Sequence, residues 1–321
     1  MRPMLVTGCD RVQFGLAWNL LASIRRSGLG REYDIGFIDG GLGDRERQAL
    51  ARLGVATAPA GWDFDFPARA VLERTAPGIC TLYGKLRMRE LFPGREVYVW
   101  LDADTWIQDA GAVPVIVAAA LRRGLAGAYE LDRTYFRARM LPHIWEKYRE
   151  WYELAFGPEV AAAMETKPMF NVGVYGIAAE APHWAAWERF YREGLARQSA
   201  EQLFSVFMTD QLSINLAIHR EALPVALLPA SFNWLCHLCP PMWDAEGRRL
   251  VVPAPPWEPV RIVHLSGSSK KGPMVLPGRR GGRYDTALRY PLRIAPADPD
   301  PAEVNAEDST AAEAEDEEVE A

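Results

Sequence analysis

The 321-residue sequence has no run of eighteen apolar residues, so it supplies no helix able to cross a membrane. Its start, Met1 to Val6, lacks the charged, apolar and small-residue layout of a signal peptide and passes directly into strand-like residues, which sets the expectation of a cytoplasmic protein. Cysteine is scarce: Cys9, Cys80, Cys236 and Cys239 are all there are. The last two stand in Cys-x-x-Cys spacing, yet no second pair exists and the pair does not open a helix after a strand. Ordinary reduced thiols are therefore expected in place of a zinc or dithiol redox site. No internal repeat is present, which excludes solenoid and propeller architectures.

Basic residues are absent from 296–321, where eleven acidic side chains accumulate, from Asp298 to Glu320, with almost no large apolar residue. Such a segment cannot offset its ordering entropy and is expected to be a disordered acidic tail. Setting those eleven aside leaves 31 acidic against 36 basic residues, so the formal charge of -6 hides a mildly cationic body. That balance suits a small anionic ligand and is too weak to indicate nucleic acid.

What the sequence does contain is about one half apolar residues, enough for one large core, and an alternation of strand and helix patterns over its first hundred positions. MLVTG, YDIGFID and VATAPA read as strands. Phe14 to Arg26 and Asp44 to Leu53 read as helices, the second with Asp44 as its cap. A helical pattern from Thr81 to Phe92 leads through Pro93 and Gly94 into REVYVWLDAD, the most apolar strand of the chain. Val113 to Arg122 is a helix and LAGAYEL a strand. Pro142 to Ala155, rich in Trp, Tyr and charge, reads as a partly exposed, irregularly placed helical insertion. MFNVGVYGI is a strand, Pro182 to Leu195 and Gln202 to Arg220 are helices, and PVALLP and VRIVHL are short strands in a Pro- and Gly-dense remainder. The pattern predicts an α/β fold with a mostly parallel sheet flanked by helices. One domain over 1–295 is expected, in two halves divided at about residue 130.

Chemistry concentrates where the most apolar strand ends in Asp102 and Asp104. Open α/β sheets bind ligands outside the carboxyl ends of their strands, and two acids at i and i+2 can turn toward one hard cation while leaving positions for phosphate oxygens and water. His264 closes another strand ahead of Gly267, Lys270 and Lys271. A neutral imidazole can complete a manganese-type site made mainly of carboxylates, and a small-residue loop lets backbone and lysine approach phosphate. Lys85, in YGKL upstream, is a further cation within reach of a diphosphate.

Taken together these residues resemble glycosyltransferase family 8, retaining enzymes of the GT-A, Rossmann-like fold. The family's YLDADT block is VWLDADT here, its Tyr-x-Arg-Leu element is YGKL, and its Phe-Asn-x-Gly-Val strand is Phe170 to Val174. Its Asp-Gln element followed by Asn is Asp210, Gln211 and Asn215, and its His-x-x-Gly-x-x-Lys is complete at His264, Gly267 and Lys270. Two positions depart: no Trp follows Lys270, and Leu212 replaces a second acid after Asp-Gln.

The resemblance implies Mn²⁺ or Mg²⁺ on Asp102, Asp104 and His264, with a nucleotide-diphospho-sugar held by Asp10, Lys85, Asp102, Asn171, Gly267 and Lys270 and a UDP-sugar expected. It places the Gln211 amide near the β face of the sugar and Asp210 on the sugar hydroxyls, with the leaving phosphate as the base. A saccharide or other hydroxyl compound is the expected acceptor, with no nucleic-acid partner; peripheral membrane contact is compatible with the sequence. Arginine outnumbers lysine 31 to 5, which points to a GC-rich bacterial source. Two other readings compete. A sugar-phosphate nucleotidyltransferase would want a Gly-rich basic loop after the first strand, where TGCDRVQFG has scattered glycines. A sugar-nucleotide-binding scaffold without turnover would tolerate loss of the acids and of the Asp-Gln pair, both of which are intact.

Overall fold

The computed structural model describes residues 2–135, 141–199, 201 and 203–297. In chain order the first half holds β1 (Met4–Cys9), α1 (Phe14–Arg26), α2 (Leu29–Glu32), β2 (Asp34–Asp39), α3 (Asp44–Arg52), β3 (Ala56–Pro59), α4 (Arg69–Thr75), α5 (Cys80–Leu86), α6 (Met88–Leu91), β4 (Val97–Leu101), β5 (Thr105–Ile107), α7 (Ala112–Arg123) and β6 (Leu125–Tyr129). The second half adds α8 (Leu141–Phe156), α9 (Pro158–Met164), β7 (Phe170–Ala178), α10 (His183–Ala196), α11 (Leu203–Arg220), β8 (Val225–Leu227), β9 (Trp234–Leu235), β10 (Met242–Asp244), β11 (Arg249–Val251), β12 (Ile262–His264), β13 (Met274–Pro277), β14 (Arg283–Thr286) and β15 (Ala295–Pro296).

Seven strands form one sheet in the order β3-β2-β1-β4-β7-β6-β8. Every neighbouring pair is parallel except the two that involve β7, which runs antiparallel to both β4 and β6. All residues of β1 and β4 are buried, as expected of strands covered on both faces. Their side chains alternate between two cores, as the period of two requires. Met4, Val6, Tyr98 and Trp100 join α5 and α10 through Tyr83, Leu86, Trp184 and Trp187. Leu5, Val97, Val99 and Leu101 join α1 and α7 through Leu20, Ile24, Ile116 and Ala120. The α/β class with a mostly parallel, helix-flanked sheet is therefore the fold observed. No helix among the described residues is long and apolar enough to cross a membrane.

Four local expectations change. The helix predicted over Thr81 to Phe92 breaks at Arg87, whose φ of -105 and ψ of 8 are not helical, giving α5 and α6. Asp44 is the first helical residue and not the cap; Gly43 holds the cap position, and no side chain accepts a bond there. The helix expected to be irregularly placed is a regular one: α8 buries Tyr148, Tyr152, Ala155 and Phe156, spaced by three and four residues, against α9, α10 and α11. Pro296, assigned above to the acidic tail, pairs with Tyr284 in β15, and the tail proper, 298–321, lies outside the described residues.

Candidate active site

Because β7 is antiparallel to β4, its beginning lies beside the end of β4, with Leu101 opposite Val174. Leaving β4, the chain is tied to β7 by Asp102 N–H donating to the Gly173 carbonyl at 2.7 Å. A tight turn follows, in which Thr105 donates to the Asp102 carbonyl from its N–H at 3.0 Å and its hydroxyl at 2.7 Å. The turn delivers the chain into β5, which pairs antiparallel with β12 so that Thr105 faces His264. Leu265 N–H donates to the Asp104 carbonyl at 2.9 Å and locks that register. Acids from one end of the sheet and a histidine 160 positions later thus meet through a second, three-stranded sheet, β5-β12-β9.

His264 Nε2 lies 3.4 Å from Asp104 Oδ1 and 3.9 Å from Asp102 Oδ2. Among the described residues this is the group of three ligating side chains whose donor atoms all fall within 4.8 Å of one another. Oxygen and nitrogen donors at about 2.1 Å from one ion stand about 3 Å apart at right angles, so small side-chain rotations fit this set to a divalent cation. The donor chemistry, two carboxylates and an imidazole, matches Mn²⁺ or Mg²⁺ better than a thiolate metal. Gly173 is required at this point: a Cβ there would sit 2.3 Å from His264 Cε1 and 2.9 Å from Asn171 Oδ1.

Cations surround the acids. Lys270 Nζ reaches Asp104 Oδ2 at 2.6 Å from a one-turn helix, Gly267–Lys270, that starts at Gly267 with φ of +56. Burial pushes the Asp104 carboxyl up, but His264 in its cationic form, together with Lys270, outweighs burial and holds it below the usual carboxylate range. Lys85, 3% exposed, turns inward. Its ammonium donates to Asp210 Oδ2 at 2.9 Å, lies 3.3 Å from Asp102 Oδ1 and 3.4 Å from the Val172 carbonyl, and sits over the Trp100 ring. Burial lowers a lysine, yet the Asp102 and Asp210 carboxylates keep this one above its ordinary value. Burial pushes Asp210 up; Lys85 pulls it back and Asp102 adds to the rise. Lys85 therefore links the two acids, a pairing that the sequence reading did not anticipate.

Asp210 Oδ1 accepts the Gln211 N–H at 2.7 Å. Gln211 and Asn171 are bonded to each other, Asn171 Nδ2 donating to Gln211 Oε1 at 3.1 Å. Asn215 belongs to a neighbouring, structural role: it takes the Phe170 N–H at 2.6 Å and donates to the Phe170 carbonyl at 2.8 Å, fastening α11 to β7. Asp10, at the end of β1, accepts the Gln13 N–H at 3.0 Å and is approached closely by Gly78, where a Cβ would meet Asp10 Oδ2 at 2.5 Å. It lies on the carboxyl edge of the sheet, just after β1. Phe14 packs against Phe37 and Trp18. The four cysteines are buried, and burial pushes the Cys236 thiol up, in keeping with inert thiols.

Three residues have contacts here that the sequence reading did not assign. Trp100 donates its indole N–H to Asp102 Oδ1 at 2.7 Å. Asn233 stands between His264 and Asn171. Glu130 follows β6 and accepts from the Tyr148 hydroxyl at 2.7 Å and Gln211 Nε2 at 3.3 Å. Burial raises the Glu130 carboxyl, against the hydrogen bonds from Tyr148 and Gln211. The criterion that singled out Asp102, an acid at the end of an apolar strand, applies equally to Glu130.

No protein-family model and no curated relative matches the sequence. Among solved structures the chain is similar to the galactosyltransferase LgtC in complex with donor and acceptor sugar analogues, at 14% identity over 83% of this chain and 87% of that one, with a TM-score of 0.44. It is similar to mouse xyloside xylosyltransferase 1, at 12% identity over 82% and 97% of the two chains, with a TM-score of 0.44. It is also similar to core-mannan synthase A of Aspergillus fumigatus in its Mn/GDP form, at 9% identity over 70% and 72%, with a TM-score of 0.40.

Proposed function

We propose that this chain is a metal-dependent glycosyltransferase with a GT-A fold, of the family 8 kind, that moves a sugar from a nucleotide-diphospho-sugar to a saccharide or other hydroxyl acceptor with retention at the anomeric carbon. The observation that carries the reading is the meeting of Asp102, Asp104 and His264 at the carboxyl edge of the sheet, with Asp210 and Gln211 joined to them through Lys85. Asp102, Asp104 and His264 would hold a divalent cation, which would supply positive charge against the leaving nucleotide diphosphate.

The chain's own groups divide the remaining work. Lys270, one-third exposed, has donors left after its bond to Asp104 and offers them to phosphate oxygens. Lys85 holds Asp102 and Asp210 together as a pair of like charges that would otherwise separate. Gln211 Oε1, aligned by Asn171 Nδ2 and Val172 N–H, directs a fixed dipole at the developing positive charge of the sugar ring. Each Asp210 oxygen keeps a lone pair for a sugar hydroxyl after its bonds to Gln211 N–H and Lys85. Leu212, in place of a second acid, is fully buried in the core with α8, so it contributes packing and not charge.

The reading is tested by incubating the protein with a panel of UDP-, GDP- and CDP-sugars and Mn²⁺ and following donor consumption by NMR, which also reports the anomeric configuration of the product. Turnover of one donor with retention, abolished in Asp104→Ala, supports it. Nucleotide binding without turnover of any donor, with or without candidate saccharides, favours the scaffold reading.

A further inference from the structure

Behind the acid cluster two backbone N–H groups of β7 fix the direction of a hydrogen-bond chain. Gly173 N–H donates to Asn171 Oδ1 at 2.9 Å, and Val172 N–H donates to Gln211 Oε1 at 3.3 Å. A backbone N–H can only donate, so both contacted atoms are oxygens and both side-chain amides have one permitted orientation. Asn233 meets the Asn171 oxygen at 2.8 Å and must present its Nδ2 there. Its Oδ1 is then the atom 2.8 Å from His264 Nδ1, and an amide oxygen only accepts. His264 Nδ1 therefore carries hydrogen. The chain runs on from Asn171 Nδ2 to Gln211 Oε1 and from Gln211 Nε2 to Glu130 Oε2, so every donor points away from His264 and the series ends on a carboxylate.

We propose that Asn233 is a positioning residue that holds His264 in its Nδ1–H tautomer, with the Nε2 lone pair directed at Asp102 and Asp104. The inference rests on the metal reading above only for its consequence, not for the tautomer itself. Burial makes the chain a constraint: Asn171 is 7%, Gln211 4%, Asn233 2% and His264 5% exposed, so water does not compete for these atoms. Asn233 is itself anchored, because the Tyr135 hydroxyl donates to its carbonyl at 3.3 Å and accepts the Leu235 N–H at 3.0 Å. An imidazole whose Nδ1 hydrogen is committed in this way is pre-oriented as an Nε2 ligand, and loss of such an outer partner weakens metal affinity about 10–100-fold.

The test uses metal-free protein labelled with ¹⁵N-histidine, its His264 signals identified by their loss in His264→Gln. Two-bond ¹H–¹⁵N spectra above the titration range of free histidine are expected to show a protonated Nδ1 and a bare Nε2 in the wild type. In Asn233→Ala the signals are expected to move toward a mixture of tautomers, and Mn²⁺ affinity to fall about 10–100-fold. A wild-type His264 protonated on Nε2, or an Asn233→Ala spectrum and Mn²⁺ affinity equal to the wild type, overturns the proposal. If Asn233→Ala does not fold, the wild-type spectrum decides alone. An Nδ1–H wild type that takes up no Mn²⁺ supports the positioning of His264 and removes the metal reading by itself.

Discussion

Replacing Lys85 by methionine probes the electrostatic centre of the site most sharply. The methionine fills nearly the same volume and removes only the ammonium, which is buried between Asp210 Oδ2 at 2.9 Å and Asp102 Oδ1 at 3.3 Å. At an effective dielectric of about 20 each contact is worth on the order of 5 kcal/mol of Coulomb attraction, most of it offset by desolvation. Breaking a buried pair from one side costs about 3–5 kcal/mol, because it strands the partner. Here that partner is Asp210, 3% exposed, with Asp102 nearby. Urea unfolding in EDTA at pH 8, followed by tryptophan fluorescence, is expected to give a deficit of that size. Adding Asp210→Asn to Lys85→Met is expected to recover about 2 kcal/mol, since a neutral amide is cheaper to strand than a carboxylate. The deficit also shrinks as pH falls, because the stranded Asp210, already raised by burial, takes up a proton in the folded state before it does in the unfolded chain and becomes neutral. A deficit below about 1 kcal/mol at pH 8, or one independent of pH, refutes this reasoning.

Two further perturbations reach other parts of the structure. Gly173→Ala places a Cβ against the His264 ring and Asn171; a loss of about 1–3 kcal/mol and of Mn²⁺ uptake is expected by thermal unfolding and calorimetry, and unchanged Mn²⁺ uptake counts against the observed packing. Burial lowers the His183 pKa to about 4 from its ordinary 6.5, so the unfolded chain binds the proton first as pH falls. Stability is then complete above 6.5 and declines by about 3 kcal/mol between pH 6.5 and 4 relative to a His183→Phe control, measured by urea midpoints; parallel pH profiles contradict it.

The sheet was legible because its strands obey simple periods: β4 is a continuous apolar run and β1 is one but for Thr7, as a strand covered on both faces requires. Asp102 and Asp104 were legible for the same reason, as the first polar residues after such a run. His264 drew its weight from the resemblance, because its meeting with Asp104 depends on the pairing of β5 with β12, a contact between distant segments that no local pattern encodes. Asn233 was given no role on similar grounds, being an unremarkable polar residue until the backbone of β7 aligns Asn171 and Gln211 beside it, whereas Glu130 ends the apolar strand β6 as Asp102 ends β4 and was passed over. Lys85 was found without its carboxylate partners, since a helix lysine normally extends to solvent. Here α5 packs against the sheet beneath the acids, and the carboxylates of Asp102 and Asp210 supply partners that make burial tolerable. The break at Arg87 carries no proline or glycine and left no signal in the sequence.

The most direct measurement is a calorimetric titration of the protein with UDP, GDP and CDP, each with and without Mn²⁺, repeated on Asp104→Ala. One nucleotide is expected to bind more tightly with Mn²⁺ than without it, and Asp104→Ala, still folded, is expected to lose that difference. Nucleotide binding that is equal with and without the metal, or a metal effect that survives in Asp104→Ala, would contradict the assignment of Asp102, Asp104 and His264 as the metal site of a glycosyltransferase.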